Sequence, residues 1–247
     1  RDLKDWVARE QAVFADIEAN AANYPEAEIE RLLSNIQTRY SSFILQNPEH
    51  LEGLLLYGKF MRRVGNADAA SVLFVRANRL DPNLAVVKQQ LGNFHAERQN
   101  FANAIPYFLS AIELEPNEPL YQYQLGELLH QFKLEIIAAE LMERSELESL
   151  MLGSFRRAAQ LAPDNRTFQQ RYAEAYFDLT NPDWNAAFAL WQKLHQSAAT
   201  TIERDLVSLQ MARIDISLGR PENARERLGG VATPSLQAAK QQLLETL

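Results

Sequence analysis

Hydrophobic positions in this chain recur as pairs of short helical patterns. In residues 91–116, LGNFHAERQNFANAIPYFLSAIELEP, Ala104 and Phe108 are four apart and Ala111 follows three residues later. This spacing places the three side chains on one face of a helix. Gly92, in the preceding helical pattern, has no side chain and leaves room for a neighbouring helix to approach closely. The stretch therefore predicts two helices packed against each other.

The same pattern recurs at a fixed interval along the chain, which is the distance in sequence between Gly58 and Gly92. A repeat of about 34 residues is typical of stacked supersecondary units. Two strong copies contain Tyr57-Gly58, Ala70, Phe74, Ala77 and Pro82, then Leu91-Gly92, Ala104, Phe108, Ala111 and Pro116. Three weaker copies contain Leu125-Gly126 with Met151, Phe155, Ala158 and Pro163, then Tyr172-Ala173 with Ala187, Trp191 and Leu194, and then Met211-Ala212 with Ala224 and Leu228. In the third copy, the stretch from Met151 to Pro163 comes later than this interval predicts, so this copy holds 13 extra residues.

These residues resemble the tetratricopeptide repeat family over about residues 49–228. The resemblance implies an all-α, right-handed α-solenoid of antiparallel helix pairs. We expect a divergent capping helix pair in 1–46 and a capping helix in 233–247, in which Thr233 would be the N-cap and Pro234 the first helical residue. Five units are expected within 47–232, at 51–84, 85–118, 119–165, 166–201 and 205–232.

The 13 extra residues of the third unit are predicted to lengthen its first helix. Residues 127–152 contain no Gly, Pro or Asn, so the first helix is expected to run from about 118 to 143. Ser145 and Glu148 form the S-x-x-E pattern of a helix start, so the second helix is expected to begin near Glu146. This overhang either packs on the turn at 180–184 or forms a protruding contact for a partner or a second copy. Its apolar residues are Leu134, Ile136, Ile137 and Leu141.

The first helices of the units line a concave groove in the family, which implies that a protein or peptide partner binds there. The outward positions expected to form this groove are Lys59, Arg62, Gln89, Asn93, Tyr123, Glu127, Gln170, Arg171 and Glu174. Together with Arg63, they predict a groove that is basic at its start and acidic at its end.

Charge and composition narrow the function classes. A net charge of −7 argues against binding of nucleic acid, which requires a basic surface. The chain has no cysteine, and none of its four histidines lies three or four residues from another, so we predict no metal site. No nucleophile or phosphate-loop motif occurs, so we predict no cofactor and no enzyme activity. No apolar run reaches the length of about 18 residues that spans a membrane.

The expected function is that of a scaffold for protein–protein contacts. Two alternatives stay open at this point: a regulatory or targeting domain of a longer enzyme or sensor, and a self-assembling structural protein such as a homodimer. Because the chain starts at Arg1, a signal peptide, an anchor or another domain could precede it. A cytoplasmic and a periplasmic location are therefore both compatible with the sequence.

Overall fold

The regular secondary structure of the described residues is entirely helical, and these residues contain no strand. The structure is a computed structural model that describes residues 3–20 and 23–247. Residues 1–2 and 21–22 of the predicted N-terminal capping pair lie outside the described residues. The helices divide between two units, residues 1–116 and 117–247.

The first unit consists of three consecutive helix pairs. Within each pair the two helices pack on each other, and α2 and α4 also contact the first helix of the next pair. The helices are α1 (Leu3–Ala19), α2 (Glu26–Gln46), α3 (Leu51–Arg63), α4 (Ala67–Leu80), α5 (Ala85–Glu97) and α6 (Phe101–Leu114).

The second unit continues this arrangement with one irregular pair and a C-terminal helix. Helix α7 packs on α9, α10 on α9 and α11, and α12 on α11 and α13. The helices are α7 (Pro119–Gln131), α8 (Lys133–Ala138), α9 (Arg144–Leu161), α10 (Arg166–Glu174), α11 (Trp184–Gln196), α12 (Thr201–Ser217), α13 (Pro221–Gly230) and α14 (Gln237–Leu244). Single 3-10 turns at Ala175–Asp178 and Pro234–Leu236 follow α10 and precede α14.

A glycine of the first helix meets an aromatic ring of the second helix in several pairs. A Cβ atom added at Gly58 would lie 2.6 Å from the ring of Phe74, and one added at Gly126 would lie 2.7 Å from Phe155. At Gly92 the nearest ring atom, on Phe108, would be 3.2 Å away. The expectation of close helix approach at Gly92 is therefore confirmed, and the group that approaches is a buried phenylalanine.

Four turns between the first and second helices of a pair share one backbone geometry. At Gly65, where φ is +79°, the N–H of Gly65 donates to the carbonyl of Arg62 at 3.0 Å, and the next N–H donates to Met61 at 2.8 Å. This pair of bonds ends a helix through one residue in the left-handed conformation. The same pattern occurs around Gln99, Glu140 and Gly219, all with positive φ. The turn at Glu140 therefore corresponds to the end of the first helix of the third pair.

The predicted long first helix of the third pair is wrong. Helix α7 stops at Gln131, and α8 begins at Lys133 after a break at Phe132, where φ is −113° and ψ is 27°. Gly65, Gln99 and Glu140 occupy the same position in successive turns, and the distance in sequence from Gln99 to Glu140 is seven residues longer than that from Gly65 to Gln99. Seven of the extra residues thus lie before the turn, and the other six lie between the turn and Phe155.

The second helix of the third pair begins within two residues of the predicted start near Glu146, but the predicted capping box of Ser145 and Glu148 is wrong. Helix α9 begins at Arg144, and its N-cap residue, Glu143, makes no capping bond through its side chain. The Glu148 carboxylate does not turn back to the helix start. Instead it accepts hydrogen bonds from the Thr180 N–H at 2.9 Å and from Lys133 Nζ at 2.5 Å. The Glu148 carboxylate, which a capping box would need, is therefore bound to residues far away in the sequence.

In the C-terminal segment, Thr233 and Pro234 occupy the predicted N-cap and first positions of a helical turn, Pro234–Leu236, but the predicted side-chain cap does not form. The Thr233 hydroxyl donates to Asp205 Oδ2 at 2.6 Å and does not cap a helix. Asp205 also accepts the backbone N–H groups of Ala232 and Thr233. The hydrogen bond from the Thr233 side chain is the main reason that the pKa of Asp205 lies below its ordinary value. This buried cluster ties the segment before α14 to α12.

Candidate partner-binding groove

The second unit contains a cleft lined mainly by the first helices of three successive pairs. Its volume is about 390 Å³. Four of the predicted groove residues line it: Tyr123 from α7, and Gln170, Arg171 and Glu174 from α10. A fifth, Glu127, borders it through its ion pair with Arg171. The residues that complete the lining are Arg166, Thr167, Trp191, Glu203, Leu206, Val207 and Gln210.

Arg171 is held rigidly on the wall of the cleft. Its Nε donates to Glu127 Oε1 at 2.6 Å, and its Nη1 lies 3.6 Å from Asp178 Oδ2. The guanidinium carbon lies 4.4 Å from the centre of the Phe155 ring. The side chain is 11% exposed, and its Nη2 is buried without a hydrogen-bond acceptor in the part of the chain described. One donor of this guanidinium therefore has no acceptor within the described residues.

Trp191 offers a second unused donor. The residue is buried, and within residues 3–20 and 23–247 its Nε1 has no acceptor. Buried N–H groups are almost always hydrogen-bonded, because leaving one unpaired costs about 1–3 kcal/mol. Two such unpaired donors thus belong to side chains that line the same cleft.

The remaining side chains give the cleft aromatic and balanced ionic walls. The ring of Tyr123 lies 4.8 Å from that of Phe168, centre to centre. Burial raises the pKa of Tyr123, and the nearby carboxylate of Glu127 adds to this effect, so the hydroxyl stays protonated. Arg166 Nη2 lies 3.6 Å from Glu203 Oε2, which pairs a base of α10 with an acid of α12.

The predicted groove residues of the first unit are less available. The Arg62 guanidinium donates to Glu97 Oε1 at 2.7 Å, and Gln89 is buried. Arg63, also expected to be basic groove surface, donates to Glu18 at 3.1 Å. Asn93 is half-buried, and Lys59 is exposed. The predicted basic start is thus largely neutralised inside the unit, and Gln89 does not point outward.

The expected overhang residues separate into two groups. Ile136 is fully buried and Ile137 is half-buried, so they pack within the unit. Leu134 and Leu141 are exposed.

In the described residues, no group of three His, Asp or Glu side chains is arranged to hold a metal ion. No helix of those residues combines the length and apolarity that crossing a membrane requires.

Comparison with solved structures identifies the fold. YrrB, a TPR protein with an unusual peptide-binding site, superimposes with a TM-score of 0.64 at 14% identity, covering 83% of this chain and 96% of its own. The fold is that of the tetratricopeptide repeat, or TPR. PilW, a type IV pilus biogenesis factor, gives 0.57 at 14% identity with 98% and 97% coverage. MamA gives 0.55 at 15% identity with 77% and 98% coverage. No family model and no curated protein matches the sequence.

The TPR frame also shows which groove residues the sequence argument missed. Ala173 and Ala212 occupy the same place in the fourth and fifth pairs, so their numbers differ by 39. Adding 39 to the numbers of Thr167 and Arg171 gives Leu206 and Gln210, both of which line the cleft. The signal was therefore present in the degenerate fifth copy. Trp191 was expected to be core and is indeed buried, but its unpaired N–H has no signature in the sequence.

Proposed function

We propose that this chain is a TPR scaffold for protein–protein interaction and that it binds an extended segment of a partner protein in the cleft of the second unit. The unused donors Arg171 Nη2 and Trp191 Nε1 carry this proposal. A peptide backbone presents one carbonyl acceptor per residue at intervals of about 3.3 Å, so it can serve donors at several places along a cleft. That YrrB is a TPR protein with a peptide-binding site supports the same choice.

The charges around the cleft favour neutral acceptors over acidic ones. The positive charge of Arg171 is already matched by Glu127 at 2.6 Å and Asp178 at 3.6 Å. Glu174 and Glu203 add further carboxylates to the lining. A carboxylate ligand would be repelled by these acids, whereas a main-chain carbonyl satisfies a donor without adding charge. The cleft should therefore recognise peptide backbone and fit apolar side chains against Leu206 and Val207.

Peptides selected from a random display library on the intact protein test this proposal. Leu206→Arg should weaken their binding at least about tenfold, because it places a long charged side chain in the cleft. Ile202→Arg is the matched control, because Ile202 is a comparably exposed residue of the same helix that does not line the cleft. Equal losses for the two variants, or no loss for either, would contradict binding in this cleft.

A second pair of variants tests the donor itself. Trp191→Phe removes the N–H and should weaken binding of the selected peptides by about two- to tenfold, the value of one hydrogen bond. Trp184→Phe removes an indole that does not line the cleft and should leave binding unchanged. Each peptide is also measured as free acid and as C-terminal amide. Equal affinities are expected, and a strong preference for the acid would show that the neutral-acceptor argument is wrong.

A further inference from the structure

The inserted helix α8 is fixed to the body of the second unit. Lys133 Nζ donates to Glu148 Oε1 at 2.5 Å and to the carbonyl oxygen of Asp178 at 2.6 Å. Ile136, one turn further on, is fully buried. These contacts join α8 to α9 and to the segment after α10. Residues 133–143 of the insertion, called the ledge below, are thus held against the body of the unit.

This ledge displays two leucines to solvent. Leu134 is 68% exposed and Leu141 is 41% exposed. Leu141 follows Glu140, which holds a φ of +54°, and its N–H donates to the carbonyl of Ile136 at 3.2 Å. A non-glycine residue in the left-handed region is strained. The turn thus fixes the backbone on which Leu141 is displayed. Its hydrogen-bond partner Ile136 is buried, whereas Leu141 itself is exposed.

Within the described residues, the exposed carboxylates in and next to this segment are unpaired. Of the two bases, Lys133 is consumed by its buried contacts, and Arg144 lies 3.9 Å from Glu148. In the part of the chain that the structure describes, no side chain forms an ion pair with the exposed carboxylates of this segment. These are Glu135, Glu140, Glu143 and Glu146. Exposed leucines in the same short segment as unpaired carboxylates complement a partner that combines apolar and basic side chains.

We infer that the ledge formed by residues 133–143 is a second docking surface, which binds a basic amphipathic helix of a partner protein. A helix presents apolar residues at every third and fourth position, to cover Leu134 and Leu141, and carries Lys and Arg on the flanks to meet the glutamates. A strand is disfavoured as the bound form, because the described residues offer no sheet edge for it to join. This surface is separate from the cleft and does not depend on what the cleft binds.

The probe is a synthetic amphipathic helix of Leu and Lys, labelled for fluorescence anisotropy. Leu134→Ser/Leu141→Ser should weaken its binding at least about tenfold, because both apolar anchors are lost. Glu135→Gln/Glu140→Gln should weaken binding less and reduce its dependence on salt. Leu45→Ser, a more exposed leucine of the first unit, is the matched control and should have no effect. Leu206→Arg should also leave this binding intact.

Three results would overturn the inference. The first is equal affinity of the parent protein and the double leucine variant, which would mean that charge alone attracts the probe. The second is equal binding of a scrambled peptide of the same composition or of a Leu and Glu helix. The third is light scattering that shows a dimer dissociated by the leucine substitutions, which would make a second copy the occupant. Leu134→Ser alone, tested in parallel and checked for an unchanged melting temperature, keeps the test valid if the double variant is unstable.

Discussion

Replacing Lys133 with methionine should destabilise the second unit by about 3 kcal/mol. The lysine side chain is 15% exposed and that of Glu148 is 11% exposed, so the substitution leaves a buried carboxylate without its cation. Removing one partner of a buried pair typically costs about 3–5 kcal/mol. The lower end applies because the N–H and hydroxyl of Thr180 still donate to Glu148 at 2.9 and 2.8 Å.

Tryptophan fluorescence can follow this unit alone. The chain has three tryptophans, and two of them, Trp184 and Trp191, belong to the second unit. In a Trp6→Phe background, urea unfolding therefore reports only on the unit that contains Lys133. A loss of about 3 kcal/mol corresponds to a fall of about 10 °C in melting temperature for a unit of this size.

The matched control is Lys193→Met, because Lys193 is exposed and the described residues provide no ion-pair partner for it. It should change the free energy of unfolding by less than about 0.5 kcal/mol. Replacing Lys133 and Glu148 together with apolar residues should restore most of the loss, since the unpaired charge is then removed as well. A loss below about 1 kcal/mol in Lys133→Met, equal to that of the control, would refute the argument that this pair fastens the insertion.

The remaining predictions concern packing and pH. Gly126→Ala should lower the free energy of unfolding by about 1–3 kcal/mol, because its Cβ would lie 2.7 Å from the Phe155 ring. Gly92→Ala should lower it less, because its Cβ would lie 3.2 Å from the Phe108 ring. A larger drop in melting temperature for Gly92→Ala than for Gly126→Ala would contradict this packing. Ile136→Ala should cost about 2–5 kcal/mol in urea unfolding, and a neutral result would mean that the ledge is not packed. Burial alone would raise the pKa of Glu148, but hydrogen bonds from Lys133 and Thr180 outweigh it and hold this pKa below 4.5. The folded state then binds fewer protons, so stability falls as the pH drops below about 4.5, and Glu148→Gln should flatten the acid limb of the stability profile.

The regular helix pairs could be predicted because local residues determine them. Gly58 and Phe74 recur one repeat later as Gly92 and Phe108, and each glycine meets its own phenylalanine in the structure. This contact is repeated within every strong copy, so it leaves a periodic record in the sequence. The all-α fold class of antiparallel helix pairs is accordingly confirmed.

The insertion could not be predicted because distant residues determine it. No helix-breaking residue marks Phe132, where α7 ends. The break sits beside Lys133, whose ammonium group is drawn to Glu148 and to the carbonyl of Asp178, 15 and 45 residues away. A single sequence without a matching repeat contains no signal for such a pairing. The same holds for Arg62, whose partner Glu97 lies 35 residues further on and removes the predicted basic surface.

The cleft lies between these two cases. Tyr123 and Arg171 could be placed on its walls, because their positions on the first helices follow from the repeat. Leu206 could have been found from the fifth copy by the same arithmetic. The unpaired donors could not, because whether Trp191 Nε1 finds an acceptor depends on the packed side chains around it. Sequence periodicity thus locates the groove, and only the structure shows its unmet hydrogen-bonding capacity.

Photo-crosslinking from inside the cleft tests the central claim most directly. Benzoylphenylalanine is placed at Thr167, an exposed residue of the cleft wall, and at Ile202, an exposed residue of α12 outside it. Each protein is irradiated with a display-selected peptide, and the products are mapped by mass spectrometry. Binding in the cleft predicts efficient crosslinking from Thr167 and little from Ile202. Efficient crosslinking from Ile202 with none from Thr167 would contradict it.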